Sequence, residues 1–589
     1  MSHANAAPGG RPPGNAPVGL PRWARLPVLA TGLALLLAAL LSVDMPRAYG
    51  ASYVKISGAG STWSQNAIDE WVSNVRQFGM PVDYKGVGSS QGRTQFKNGT
   101  VDYGVSEIPY GLKDSATGVT EAPPSRDYAY MPIVAGGTAF MYNLEVSGRK
   151  VTNLRLSGST VTGIFTGKIK YWNDAAVRRD NPGLSLPRVK VVPVVRSDGS
   201  GTTAQFTEWM SQMHGGAWND YCRAAGRSTP CGMTSNYPTL AGSGFISQAT
   251  SLGVSGYVRQ DHAVGAITYV EYSYARNTGF PVAKVLNKSD YYVEPTASSV
   301  AVALTRADIN DNKGSVRYLT QELDRVYRHT DRRAYPLSSY SYMILPTSLE
   351  SGMTNKKGRT LGAFGHYFLC EGQQNADDLG YSPLPANLVK AGFTQVNRVP
   401  GAQKKDPGNL RDCKNPTIGP NGNSLLNNAP YPPACDKKDG PTQCATGTGG
   451  AKDPTPVRGG GSGDGTGSGG GTGGPGNGDG DGTGPDADGD GDGDGDGSGA
   501  DSGGGADGAG GPGDGAVIDP ETGEVLGDGT DGAGSDVIGT SVGIGAEQTW
   551  GMRTALMLLS AAMLVGVVVA PPVVSRYLDN RRRRRGRAA

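Results

Sequence analysis

Three short segments rich in Gly, Ser and Thr carry the residues best suited to chemistry. They are Gly58-Ala59-Gly60-Ser61-Thr62-Trp63, Gly88-Ser89-Ser90-Gln91-Gly92 and Arg196-Ser197-Asp198-Gly199-Ser200-Gly201-Thr202-Thr203. Glycine lets the backbone approach a ligand closely, while Ser and Thr add hydroxyl donors to free main-chain N–H groups. Where such a segment joins the end of a strand to the start of a helix, unpaired N–H groups and the helix dipole favour an anion. Each alone reads as a turn with an ordinary N-cap. Three in one chain, one of them containing Arg196 and Asp198, point to a shared seat for an oxyanion. No segment fits the nucleotide-binding pattern G-x-x-x-x-G-K-[ST], and neither a G-x-S-x-G nucleophile elbow nor an H-E-x-x-H zinc motif occurs. The chemistry read from these residues is capture of an anion that is left unchanged, with no cofactor and no metal.

The elements around the segments must bring them together. Apolar runs at Tyr53–Ile56, Val82–Val87, Val101–Val105, Val189–Val195 and Gly265–Val270 predict strands. Ile68, Trp71, Val72 and Val75, and again Phe206, Trp209, Met210 and Met213, repeat at helical spacing, which predicts helices with one buried face. Each Gly/Ser segment follows one of these strands and precedes a helix. In open α/β sheets ligands sit at the carboxyl ends of the strands, so the segments can converge. An α/β globular unit is expected from Ala51 to about Arg398.

These residues resemble a known family. Gly58–Trp63, Gly86–Gly92, Thr100–Pro109, Thr162–Trp172, Val195–Thr202 and Gly265–Tyr272 look like motifs that occur in the same order in phosphate-binding proteins, the solute receptors of high-affinity phosphate ABC transporters. The resemblance covers about Tyr53 to Arg398. It implies a two-lobed periplasmic-binding-protein-like fold of type II, with lobe 1 at about 51–135 and 300–400 and lobe 2 at about 136–299, closing on dehydrated inorganic phosphate. By matching motifs it implies that Thr62, the Trp63 backbone N–H and Ser89 bind from the first lobe. Arg196 is then the full positive charge, Ser200, Gly201 and Thr202 donate from a helix start, and Asp198 orients Arg196. The Trp63 ring, where the family has Phe, is expected to pack. Glu107 stands where the family pattern has Asp. A carboxylate there accepts the proton of phosphate and rejects sulfate, and the longer Glu side chain alters the fit.

The remaining chain concerns address and attachment. Net charge is only +2, yet Gly459 to Gly545 holds no Lys or Arg and eighteen Asp and Glu, leaving the rest basic. Nucleic-acid binding does not follow, since the densest basic run, Arg581–Arg585, sits beside an apolar segment at the C-terminus. Arg22 and Arg25, the apolar run Leu26–Val43 and small residues at Ala48 and Gly50 read as a secretory signal over 1–50, with an uncleaved anchor as the alternative. Residues 554–575 are long and apolar enough to span a bilayer, and the following basic tail, 576–589, orients them with the tail in the cytoplasm. Residues 446–545 are Gly with Asp, Ser and Thr, and predict a disordered tether. Within it a calcium-loop-like Asp/Gly run lacks the terminal Glu, and Pro520-Glu521-Thr522-Gly523 only partly matches a sortase signal. Six cysteines, an even number in an exported chain, predict disulfides with 15 possible connectivities. Cys222 with Cys231 and Cys435 with Cys444 are the easiest local pairs, and 401–445 reads as a Cys/Pro-rich stapled extension.

Taken together, the expectation is a cell-membrane protein with an extracellular receptor for inorganic phosphate, serving an ABC permease and its ATPase. The alternatives are another oxyanion, a surface sensor or adhesin that kept the fold, or an enzyme acting on phosphate esters.

Overall fold

The computed structural model describes residues 53–418, 422–440 and 442–458. The expected signal segment, the tether beyond residue 458 and the apolar span at 554–575 lie outside the described residues. Among the described residues no helix is long and apolar enough to cross a membrane.

The first two strand–helix units read as the sequence suggested, with one shift. Strand β1 is Ile56–Gly60, so Gly58-Ala59-Gly60 belong to the strand and the connecting turn begins at Ser61. The reason is steric. A Cβ on Gly58 would lie 2.0 Å from the Tyr103 ring, and one on Gly60 would lie 2.0 Å from the Val105 carbonyl, so only glycine lets this strand fit against its neighbour. Helix α1 (Gln65–Val75) buries Ala67, Ile68, Trp71, Val72 and Val75, each larger apolar side chain contributing about 1.5–3 kcal/mol. Strand β2 (Val82–Gly86) leads to α2 (Ser89–Lys97), whose first turn absorbs the Ser89–Gly92 segment. Strand β3 is Tyr103–Ser106 and β4 is Tyr128–Tyr142.

The second series comprises β5 (Val192–Arg196), α3 (Gly201–Ala224), β6 (Ile246–Gln248), α4 (Thr250–Val258), β7 (Ala266–Glu271), α5 (Tyr272–Asn277) and β8 (Val282–Leu286). The chain then returns through β9 (Ser338–Pro346) and α6 (Asn355–Leu369).

The strands form one mixed sheet in the order β2-β1-β3-β9-β4-β7-β5-β6, with β8 also paired to β4. Strand β4 joins its two halves. Its residues Tyr128–Gly137 pair with β9, and Thr138–Tyr142 pair with β7. Neighbours β1, β2 and β3 are parallel, as are β5, β6 and β7, so the carboxyl ends of each set carry the Gly/Ser segments.

Residues beyond 400 wrap over both halves. Cys413 is bonded to Cys370 at the end of α6, closing a separation of 43 residues, and Asn415 donates to the Leu369 and Leu384 carbonyls. A loop of that length removes about 4 kcal/mol of unfolded-chain entropy in the chain-entropy account. Further on, Asp436 pairs with Lys284 of β8 at 2.5 Å, and Cys435 is bonded to Cys444. The remaining disulfide is Cys222–Cys231 within the second half. Residues 446–458, which composition assigns to the tether, are packed here. Thr448 is fully buried, accepts from Val282 N–H at 3.1 Å and donates to its carbonyl at 2.5 Å, while Arg458 N–H reaches the Gly183 carbonyl.

Candidate functional site

The turns after β1, β2, β3 and β5 converge between the two halves of the sheet. Thr62, Trp63, Ser89, Glu107, Arg196, Ser200 and Thr202 are each no more than 3% exposed, and Gly201 is buried with them. Local sequence explains the approach. Gly88, at φ 92°, caps α2, and a Cβ there would lie 2.5 Å from Asp198 Oδ2. Gly92 sits against Gly60, where an added Cβ would be 2.2 Å from its Cα. Ser200 caps α3 by accepting from Thr203 N–H at 3.2 Å, which leaves the helix start aimed at the gap.

Two charged groups face this gap. Glu107 accepts from Ser61 Oγ at 2.5 Å and Ser341 Oγ at 2.7 Å on one oxygen, and from Ser89 Oγ at 2.8 Å on the other. Ser89 Oγ in turn accepts from Gly201 N–H at 3.1 Å. A Cβ on Gly201 would lie 1.9 Å from Glu107 Oε2, so the glycine is required by this contact. Arg196 donates through Nε to Asp198 Oδ1 at 2.6 Å and through Nη2 to Oδ2, a two-pronged pair. Its Nη1 is directed to Ser251 Oγ at 3.4 Å. Behind it, the Tyr269 hydroxyl accepts from Arg196 N–H at 3.2 Å, and burial pushes that phenol up to about 12.

The structure therefore brings all the residues singled out in the sequence to one place, with some donors already engaged. Trp63 N–H donates to Ser61 Oγ at 3.0 Å, and its ring packs edge-on against Tyr381 with centroids 5.8 Å apart. Thr62 Oγ1 is bonded to Ser251 Oγ at 2.9 Å. Thr202 Oγ1 is buried with no hydrogen-bonding partner. Buried hydroxyls are nearly always paired, so an unpaired one at this point marks room for a bound acceptor. With Arg196 balanced by Asp198, Glu107 leaves the site one formal negative charge; an anion held here must be stabilised by hydroxyls and main-chain amides.

Three further residues were not singled out. Ser61 lay within a motif already recognised, and its run of adjacent hydroxyls was the available signal. Ser341, on β9, and Ser251, at the start of α4, sit in ordinary sequence surroundings that carried none. Glu271, at the end of β7, is also buried nearby. It accepts from Ser273 N–H at 2.8 Å and from the Ser273 hydroxyl, and burial pushes its carboxyl up to about 8. Among the described residues no group of His, Cys, Asp and Glu is arranged to hold a metal ion.

A mixed α/β sheet whose two halves are joined by one shared strand, with a donor-lined gap between them, defines a solute-binding protein. A family model described as "PBP superfamily domain" matches residues 46–371, more than half of the chain. The phosphate-binding protein PstS of Xylella fastidiosa is 31% identical over 350 residues, covering 59% of this chain and 86% of the relative. The protein of the same name from Haemophilus influenzae is 31% identical over 336 residues, covering 57% and 90%. The chain belongs to this family of PstS-like phosphate-binding proteins. Among solved structures, an ABC-type phosphate transport receptor from Vibrio cholerae aligns with 56% of this chain and all of its own, at 18% identity and a TM-score of 0.33.

Proposed function

We propose that the protein captures inorganic phosphate outside the cell and delivers it to an ABC importer. One observation carries this reading. Arg196, the Gly201 and Thr202 helix start, Ser89 and Thr62 come from separate elements to one buried gap, opposite a carboxylate, with the Thr202 hydroxyl unpaired. Amides and hydroxyls hold the oxygens of a tetrahedral anion, Arg196 adds a guanidinium donor whose charge Asp198 balances, and Glu107 accepts a hydrogen bond from a protonated oxygen of the ligand. A ligand that carries a proton at neutral pH satisfies that carboxylate, whereas sulfate does not. Family membership supports the same ligand class, as the relatives are named for phosphate binding.

The two halves of the sheet act as lobes that close on the ligand about β4 and present a surface to a permease and its ATPase. Residues 1–50 export the chain, 554–575 anchor it, and the Gly/Asp-rich segment lets the receptor reach away from the membrane. This assignment rests on the sequence, and three disulfides suit an oxidising compartment. Calorimetric titration with phosphate, with and without excess sulfate, tests the ligand. Tight phosphate binding unaffected by sulfate is expected. Equal competition would make the protein a general oxyanion receptor, and no heat with either anion would favour a sensor or adhesin that kept the fold.

A further inference from the structure

The hydroxyl of Ser251 joins two of the site residues that lie on opposite halves of the sheet. Thr62 follows β1, whereas Arg196 ends β5. Ser251 is fully buried between them at the start of α4. Its backbone N–H donates to Thr62 Oγ1 at 3.1 Å, its Oγ lies 2.9 Å from the same Thr62 oxygen, and Arg196 Nη1 is directed at that Oγ from 3.4 Å. The preceding residue, Thr250, donates its N–H to Asp198 Oδ1 at 2.9 Å, and does so at φ 63°. β-Branched residues seldom adopt that region, and such conformations persist where the surroundings require them.

Donor arithmetic fixes two of the three hydrogens. A guanidinium can only donate, so Ser251 Oγ accepts from Arg196. A backbone N–H can only donate, so Thr62 Oγ1 accepts from Ser251 N–H. Between the two hydroxyls, 2.9 Å apart, either can donate; an anion that takes the Thr62 proton leaves Ser251 to give its own to the remaining acceptor position of Thr62. With both lone pairs taken, Thr62 has its own O–H left to point outward as a donor. The chain Arg196 to Ser251 to Thr62 is thus polarised in one sense, and charge at its head strengthens the donor at its end.

We infer that Ser251 is a positioning residue for anion capture. It orients the Thr62 hydroxyl as a donor and couples that donor to Arg196 across the gap, without itself touching the anion. This rests on the phosphate-receptor reading given above and names a residue through which it operates.

The test is a double-mutant cycle on the full chain, using inorganic phosphate as probe, with calorimetry for affinity and stopped-flow for release. Ser251→Ala is expected to weaken phosphate by about tenfold, the size of one lost charge-linked hydrogen bond, mainly through faster release. Thr62→Val should lose at least as much. Ser251→Ala should add nothing further in the Thr62→Val background, because it acts through Thr62. Ser251→Thr, which keeps the hydroxyl, should restore most of the affinity. Ser251→Cys, of similar shape and a weak donor, replaces the alanine variant if anion-free melting falls. Wild-type affinity in Ser251→Ala, or losses that multiply in the double variant, would overturn the inference while leaving the receptor reading intact. Absence of phosphate binding by the unaltered protein would overturn both.

Discussion

Exchanging the Glu107 carboxylate for an amide probes selectivity at its source. Glu107 is 1% exposed and accepts three hydroxyl hydrogen bonds, at 2.5, 2.7 and 2.8 Å. In Glu107→Gln the amide oxygen can keep Ser61 and Ser341. The amide N–H₂ then faces Ser89 Oγ, which already accepts from Gly201 N–H at 3.1 Å. One buried pair is reversed, which costs about 1–3 kcal/mol of stability. The effect on selectivity is larger. A carboxylate facing an unprotonated oxygen of sulfate is both unpaired and repelled, and mismatches of this kind reject a ligand by up to about 10⁴–10⁵-fold. An amide can donate to that oxygen. The ratio of sulfate to phosphate dissociation constants should therefore fall by about 10²-fold or more, equivalent to about 3 kcal/mol. Glu107→Asp keeps the charge, removes one methylene, and should hold or improve phosphate affinity while still rejecting sulfate. Competition calorimetry at neutral pH measures both ratios. If Glu107→Gln excludes sulfate as strongly as the unaltered protein, Glu107 is not the proton acceptor and the selectivity argument fails.

Gly201→Ala should abolish most phosphate binding, since its Cβ would lie 1.9 Å from Glu107 Oε2 and 2.5 Å from Ser89 Oγ; affinity within a few-fold of wild type in the titration would contradict this. Glu271→Gln tests the buried carboxyl raised from 4.5 to about 8 by burial. The folded state holds that proton more tightly than the unfolded chain. Its stabilising contribution is therefore complete below about pH 4.5 and is lost as pH rises to about 8, at up to about 1.4 kcal/mol per unit. The glutamine variant lacks this dependence, so its advantage in urea midpoint should widen from pH 5 to 8 and level off above; parallel curves would count against a raised carboxyl. Lys284→Met leaves Asp436, whose side chain is 3% exposed, buried and unpaired, and should destabilise the fold by about 3–5 kcal/mol, with recovery in Lys284→Met/Asp436→Leu. An unchanged denaturation midpoint in the single variant would show that the extension adds little to the folded body.

Much of the site was legible because its residues announce themselves locally. Arg196, Asp198 and Ser200–Thr202 occupy one uninterrupted motif, and its occurrence beside two further Gly/Ser segments in one chain set it apart from an ordinary N-cap. Strand β1 was shifted because the pattern registers glycine as a turn signal, whereas Gly58 and Gly60 are needed where Tyr103 and Val105 press on the strand. Ser341 and Ser251 were not legible, since a lone serine on a strand or helix start gains its meaning only from what the fold places opposite it. Residues 446–458 were misread for a related reason. Their composition offers little apolar area to bury, but Thr448 is held by hydrogen bonds to both main-chain groups of Val282, a contribution that hydrophobic patterning does not register.

A crystal structure of the protein grown with phosphate tests the central claim most directly. The account predicts a single anion between the two halves of the sheet, within hydrogen-bonding distance of Arg196, the Gly201 and Thr202 amides, the Thr202 hydroxyl and Thr62, with one oxygen against Glu107. Phosphate bound elsewhere on the molecule, with that gap left to water, would contradict it.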